Sequence, residues 1–275
     1  MPLTRRAALK GMVATAVGAV TGATVYGGGY ERHRIGVTEA TLRVRGLSSA
    51  WDGRRIALLT DIHHSAIVPA ADVVRAVTLA NAQNPDLIVL GGDYVTNADR
   101  AFVEPVADLL APLQAPLGVF AILGNHDDDR DMPNALKNRG IKVLRDERRR
   151  VTVRGEGIEL VGIRFWTREP AKIAELVKPA RDPVILLAHD PRRLNEAAAL
   201  DVPMVLSGHT HGGQVVLPGL GAPAARKFPV TEGIGVMGGS TVFVSRGIGT
   251  VYLPVRINCP PEVAMLTLRA AEHHA

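Results

Sequence analysis

Five short apolar runs in this chain each stop at a cluster of Asp, Asn or His. Ile56-Ala57-Leu58-Leu59 runs into Asp61-Ile62-His63-His64, and Asp86-Leu87-Ile88-Val89-Leu90 into Gly91-Gly92-Asp93. Gly118 to Leu123 ends at Gly124-Asn125-His126-Asp127, Pro183 to Ala188 at His189-Asp190, and Val202 to Leu206 at Ser207-Gly208-His209-Thr210-His211. Uninterrupted apolar runs of this length predict strands buried on both faces. The helical stretches between them, such as Pro69 to Asn81, predict a layered α/β fold. Open α/β sheets hold ligands just beyond the carboxyl ends of their strands. One Gly-Asp or Gly-Asn cluster fits a turn, because Asp and Asn favour turns and helix caps. Five in succession are not explained that way.

The last cluster is the densest in imidazole. His209 and His211 stand two residues apart, with Gly208, Gly212 and Gly213 around them. In extended backbone, residues i and i+2 project from the same face, so both rings are expected on one side. The glycines let other backbone pass close by. Carboxylate, amide and imidazole donors together suit Mn, Fe or Zn rather than Cu(I).

The ordered set Asp61-x-His63, Gly92-Asp93, Gly124-Asn125-His126-Asp127, His189 and Gly208-His209-Thr210-His211 resembles the calcineurin-like metallophosphoesterase superfamily. The resemblance runs from about residue 53 to 269. The tail from Gly247-Ile248-Gly249 through Pro254 and Arg256 to Cys259-Pro260-Pro261-Glu262 is similar to an exported bacterial branch of it. The implied fold is a four-layer α/β/β/α sandwich with two divalent metal ions held by loops at one end. Asp61, His63 and His211 would hold the first metal, Asn125, His189 and His209 the second, and Asp93 would bridge them. The two histidines of one short motif would thus serve two ions about 4 Å apart. Two carboxylates facing two dications leave the site electropositive, which attracts phosphate and brings the pKa of metal-bound water towards about 7.

The resemblance implies a metal-dependent phosphoric ester hydrolase, a phosphodiesterase or pyrophosphate-cleaving enzyme in which metal-bound hydroxide attacks phosphorus in line. It assigns His126 to the leaving oxygen as a non-ligand catalytic group, a role typically worth about 10²–10⁴-fold. Asp127 either orients His126, as carboxylates often do for imidazoles, or caps a helix. His64 reads as a substrate contact or as an exposed loop histidine. Arg192 and Arg193 read as partners for a distal phosphate or as surface charges early in a helix. Leu217 to Gly233, with Arg226 and Lys227, reads as a loop at the mouth of the site or as ordinary surface.

Composition limits the alternatives. The chain has 275 residues, 47% of them hydrophobic, enough for a sizeable core. Its single cysteine, Cys259, excludes an intramolecular disulfide and a cysteine-based zinc cage, and is expected to be a small buried residue. Of the net charge of +5, nearly all lies in residues 1–34, where Arg5, Arg6, Lys10, Arg32 and Arg34 face Glu31 alone. Arg148-Arg149-Arg150, after Asp146 and Glu147, reads as a solvated hairpin edge. No basic stripe is interleaved with aromatics, so nucleic-acid binding is not expected.

The N-terminus reads as an address. Thr4-Arg5-Arg6-Ala7-Ala8-Leu9-Lys10 precedes an uncharged run from Gly11 to Tyr30, the layout of an export signal, and resembles a twin-arginine signal with Ala8 where that pattern often has Phe. The run is glycine-rich and marginal against the ~20 apolar residues a spanning helix needs. Removal and retention as a membrane anchor through residues 11–30 both stay open. The expected organisation is an export signal or anchor in residues 1–34 and a metallophosphoesterase domain in 35–275. The chain would then lie in the periplasm, in the cell wall or on the outer face of the inner membrane, acting on an envelope phosphoester that is lipid- or nucleotide-linked. The alternative is a non-catalytic envelope protein that binds metal or an anionic polymer on the same scaffold. His273-His274 is expected to be a tail outside the site.

Overall fold

A computed structural model describes residues 4–271. Among them the chain runs α1 (Arg5–Gly29), β1 (Gly36–Val44), β2 (Arg55–Leu59), α2 (Ala70–Ala82), β3 (Leu87–Leu90), α3 (Val103–Leu110), β4 (Val119–Ala121), α4 (Met132–Asn138) and β5 (Lys142–Val143). It continues through β6 (Glu147–Val153), β7 (Glu156–Gly162), α5 (Pro170–Val177), β8 (Val184–Leu187), α6 (Leu194–Ala199), β9 (Met204–Ser207), β10 (Gly233–Met237), β11 (Ser240–Val244) and β12 (Glu262–Ala270). The five expected strands are all present, each displaced by no more than a residue or two at its ends.

The strands form two sheets, ordered β1-β12-β2-β3-β4-β5 and β10-β11-β9-β8-β7-β6. Within the first, β2, β3, β4 and β5 are parallel, with α2, α3 and α4 as crossovers. Within the second, β7, β8, β9 and β11 are parallel, and β6 and β10 close the edges as antiparallel hairpin partners. Alternation explains the layering. Ile56 and Leu58 of β2 point into the space between the sheets, where they join Leu187, Leu206 and Phe243 of the other sheet. Ala57 and Leu59 point the other way, onto Val73, Ala76, Val77 and Ala80 of α2. Those four positions lie on one face of a 3.6-residue repeat. Val161, Leu186 and Val205 do the same against Ile173 of α5 and Ala197 of α6. The result is the four-layer α/β/β/α sandwich, and burial on both faces is why the strands read as continuous apolar runs.

Charged residues blunt the β6 edge, as expected of the Arg148–Arg150 run: Arg149 and Arg150 are exposed, and Arg150 pairs with Asp182. At the other end of the chain α1 is solvent-exposed along most of its length. No helix among the described residues is long and apolar enough to cross a membrane, because Ala and Gly dilute the hydropathy of α1. The last turn of α1 and the residues just after it are tied to the rest of the chain. The Arg256 amide donates to the Gly27 carbonyl at 3.1 Å, and the buried Glu31 carboxylate accepts from the Cys259 amide at 2.6 Å. His273-His274 lies outside the described residues.

Asp146 ties the turn between β5 and β6 to the segment after β7. Its carboxylate accepts from the Arg164 amide at 3.0 Å, from the Arg164 guanidinium at 2.8 Å and from Thr167 Oγ1 at 2.9 Å. Burial alone would push Asp146 up, but these donors hold it below the ordinary carboxylate value. A depressed pKa in the folded state contributes stability above the unfolded value of about 4 and loses it as pH falls through the folded value. Asp146→Asn is therefore expected to unfold at lower urea than the parent at pH 7. The gap should narrow as pH drops from 4 towards 2, and a gap that does not change with pH contradicts the assignment.

Candidate metal centre

Every predicted metal ligand sits at the carboxyl end of a parallel strand. Asp61 and His63 follow β2, Asp93 follows β3, Asn125 follows β4, His189 follows β8, and His209 and His211 follow β9. The two sheets bring these ends together. Ligand atoms of Asp61, His63 and His211 form one group within 4.8 Å of one another, and those of Asp93, His189 and His209 form a second. Asp93 lies between them: its Oδ2 is 3.1 Å from His189 Nε2 and 3.5 Å from His63 Nε2, one from each group.

The backbone that delivers these side chains is not extended. Asp61, His63, Asp93, His209 and His211 all have positive φ, between 50° and 71°. Such left-handed kinks are uncommon outside glycine and concentrate at functional sites. They correct the expectation that His209 and His211 project together from an extended segment. Thr210 is helical between two left-handed residues, and the rings diverge. His211 stacks on His63 with centroids 5.0 Å apart, while His209 meets His189 edge-on at 5.0 Å. Gly208 and Gly124 are demanded by close approach, since a Cβ on either would strike the carboxylate of Asp61 or Asp93 respectively.

Electrostatics indicate what the cluster holds. His189 Nδ1 lies 2.7 Å from the Gly91 carbonyl and must donate there, which leaves Nε2 of the neutral ring as a bare lone pair. That lone pair faces Asp93 Oδ2 at 3.1 Å and Asp61 Oδ1 at 3.8 Å. Electron-rich atoms so placed require a positive species between them. Burial alone would lower His189, but Asp93 and Asp61 outweigh it and lift the ring to about 10. Asp93 is held well below the usual carboxylate range, with His189 overcoming the upward push of burial. Burial raises Asp61 to about 6. Burial also lowers His63 to about 4 and His209 to about 3, and puts His211 well below its usual value. Neutral imidazole is the form that ligates metals. Asn125 Oδ1 is buried with no hydrogen-bond partner, the condition of a ligand oxygen. The residues present fit a pair of divalent cations.

His126 lies beside this cluster without belonging to either group. Its ring meets His63 edge-on at 5.0 Å, and its Nδ1 accepts from the Asn97 amide at 3.1 Å. The neutral ring therefore carries its proton on Nε2. Asp127 does neither of the things expected of it. It does not touch His126, and α4 starts too late for it to serve as a cap. Its carboxylate accepts from the amides of Asp93 at 2.8 Å, Tyr94 at 2.7 Å and Gly124 at 2.8 Å, so it is a positioning residue for the Asp93 loop. Burial, assisted by Asp93, lifts it to about 7 against those three donors.

Other expectations resolve as follows. His64 is buried, its Nδ1 bonded to the Val68 carbonyl at 2.9 Å and its ring against Phe102, so neither earlier reading holds. Arg192 is bound to Asp190, and Arg193 to Glu196. The segment from Leu217 to Gly233 does reach the mouth: Pro223, Ala224, Lys227 and Phe228 line a cavity of about 550 Å³ shared with Asp93, Asn125, His126, His209 and His211. Cys259 is buried as expected, its thiol donating to the His211 carbonyl at 3.2 Å. Arg256 had no assigned role. Fully buried, it donates to the carbonyls of Arg246, Gly247, Gly249, Cys259 and His211 at 2.6–3.5 Å. The turn it gathers bonds to Thr60 and Asp61 through the Ile248 and Gly249 amides. A lone arginine in a Pro-rich tail gives no sequence signal for this.

The sequence profile of the family described as calcineurin-like phosphoesterase matches residues 54–213. The chain belongs to that family. It is 35% identical over 232 residues to phosphodiesterase YaeI of Escherichia coli, covering 78% of this chain and 82% of that protein. It is 32% identical over 287 residues to the uncharacterized metallophosphoesterase YkuE of Bacillus subtilis, covering 98% of each. Among solved structures, the NAD nucleotidase NadN of Haemophilus influenzae superposes with a TM-score of 0.50 at 16% identity, over 71% of this chain and 45% of that one, a likeness of fold alone. This phosphoesterase is a phosphoric ester hydrolase with two candidate metal-ligand clusters.

Asp127→Ala leaves three buried amides without an acceptor, at about 1–3 kcal/mol each. It is expected to lower both stability and metal content, measured by denaturant unfolding and by elemental analysis. Full metal content in the variant contradicts the positioning role.

Proposed function

We propose that the protein is a dinuclear metal-dependent phosphodiesterase or pyrophosphate hydrolase, exported by a twin-arginine-type signal and acting on an envelope phosphoester. The observation that carries the dinuclear reading is Asp93, whose Oδ2 faces imidazoles of both ligand groups. Asp61, His63 and His211 would hold one ion, and Asn125, His189 and His209 the other. Divalent ions in these positions would supply Lewis-acid stabilisation of the phosphoryl oxygens and lower the pKa of water.

The chain's own residues do the rest. His126 Nε2 carries the proton that the departing alkoxide takes as the bond from phosphorus to that oxygen breaks. The Asn97 amide fixes that tautomer through Nδ1. For a diester the products are an alcohol and a phosphomonoester. Asp127 holds the Asp93 loop, and Arg256 holds the turn behind Asp61. The diesterase preference is supported by the name of the Escherichia coli relative. Export rests on Arg5-Arg6 ahead of the uncharged run in residues 11–30. Residues 1–34 would carry the address and residues 35–275 the catalysis.

The full chain loaded with Mn²⁺ is expected to hydrolyse bis-p-nitrophenyl phosphate, and EDTA to abolish this. Asn125→Ala should lose the second metal. His126→Ala should keep both metals while turnover falls about 10²–10⁴-fold. Metal loss in His126→Ala, or no turnover with Mn, Fe or Zn, contradicts the reading; full metal occupancy without activity on any phosphoester favours a binding protein instead.

A further inference from the structure

The cavity beside the ligand groups is lined mainly by apolar and aromatic side chains beyond those groups. Away from the metal end its wall is made of Val215, Pro223, Phe228, Val251, Tyr252 and Leu253. The wall starts at the site itself. The Phe228 ring meets His209 edge-on with centroids 5.3 Å apart, and the Tyr252 ring lies 6.0 Å from that of His126. An organic group attached to a phosphorus between His209 and His126 would therefore leave along these side chains.

Two polar side chains along this wall, those of Gln214 and Thr210, already have their partners. The Gln214 carboxamide donates to the Val251 and Leu253 carbonyls, both at 3.2 Å, and accepts from the Val251 amide at 2.6 Å. Thr210 Oγ1 donates to the Thr231 carbonyl at 2.6 Å. A nucleobase or sugar lying here would find few side-chain partners for its polar edges beyond the Tyr252 hydroxyl and the Lys227 ammonium. An aliphatic chain has no such requirement.

The wall is also held open to solvent. Tyr252 is 80% exposed and Leu253 65% exposed, on a loop in which Tyr252 has φ +61° and Gln214 clamps the residues on both sides. Strain of this kind persists only where the surroundings impose it. Lys227 lines the same cavity, its Nζ 5.2 Å from the Phe228 centroid, and supplies the positive charge an anionic headgroup would meet on entry.

We propose that the cavity wall seats an aliphatic chain, so that the substrates of this site are phosphoesters of lipid alcohols rather than of nucleosides. This rests on the phosphoesterase reading above.

The test uses the metal-loaded full chain and alkyl p-nitrophenyl phosphate diesters with methyl, butyl and octyl groups, kept below their micelle concentrations. Each methylene that reaches the wall is expected to raise kcat/KM roughly three- to fourfold until the wall is covered. The Val251→Ser/Leu253→Asn double variant should flatten the octyl-to-methyl ratio at least tenfold, and Tyr252→Ser should lower it if the double variant does not fold. Titration with methyl-, butyl- and octylphosphonate provides a readout independent of turnover. A flat series in which the methyl ester is still hydrolysed, a ratio unmoved by the variants, or preferred turnover of thymidine 5′-(p-nitrophenyl phosphate) overturns the inference and leaves the phosphoesterase reading standing. If no ester is hydrolysed, that reading fails instead. The phosphonates then decide the wall: affinity climbing with chain length upholds it, and affinity independent of chain length refutes it.

Discussion

Two carboxylates, Asp61 and Asp93, are buried among four imidazoles with almost no exposure of any of them to solvent except His209. Taking one carboxylate out of water costs several kcal/mol unless positive charge accompanies it. The buried Arg256, which faces Asp61 electrostatically, spends its donors on backbone carbonyls. The protein therefore carries a negative, lone-pair-rich hollow that only added positive charge can balance. A proton on His189 partly does so, as its rise to about 10 records. A divalent cation in each candidate ligand group would do so more completely, and the Asn125 oxygen, buried without a partner, would be free to receive one.

That hollow dictates how the rest is built. Both sheets must end their parallel strands at one place, which the pairing of two six-stranded sheets achieves. Each ligand must then turn off its strand within a few residues, and the left-handed kinks at Asp61, His63, Asp93, His209 and His211 do this. Strained backbone needs support from neighbours. Asp127 supplies it through the Asp93 and Tyr94 amides of the Asp93 loop and the Gly124 amide after β4, and Arg256 supplies it to the turn packed behind Asp61 and to the His211 carbonyl. The Gly27–Glu31 segment bonds to Arg256 and Cys259, so the N-terminal part of the chain braces the same region.

Much of this was legible in the sequence because two of its rules are local. Apolar runs buried on both faces declare parallel strands, as β2, β3, β4, β8 and β9 are, and the polar clusters at their ends converge into the two candidate ligand groups. The unread parts depend on what a residue touches in space. Asp127 sits next to His126 in the chain, which suggested a partnership, yet its carboxylate turns to amides contributed mostly by the loop after β3. The same-face argument for His209 and His211 assumed extended backbone and failed at two positive φ angles, although it correctly brought both rings to the centre. The stretch from Leu217 to Gly233 looks like any Pro- and Gly-rich loop until its Lys227 and Phe228 are seen to line the cavity. Arg256 and His64 are buried for reasons that no spacing encodes.

The central claim is that residues spread over the strand ends of two sheets converge to hold two ions with Asp93 between them. An anomalous-scattering map from crystals of the Mn²⁺-loaded protein tests it most directly. The account predicts two peaks about 4 Å apart, one against Asp61, His63 and His211 and the other against Asn125, His189 and His209, with Asp93 touching both. A single peak, or peaks remote from Asp93, would contradict it.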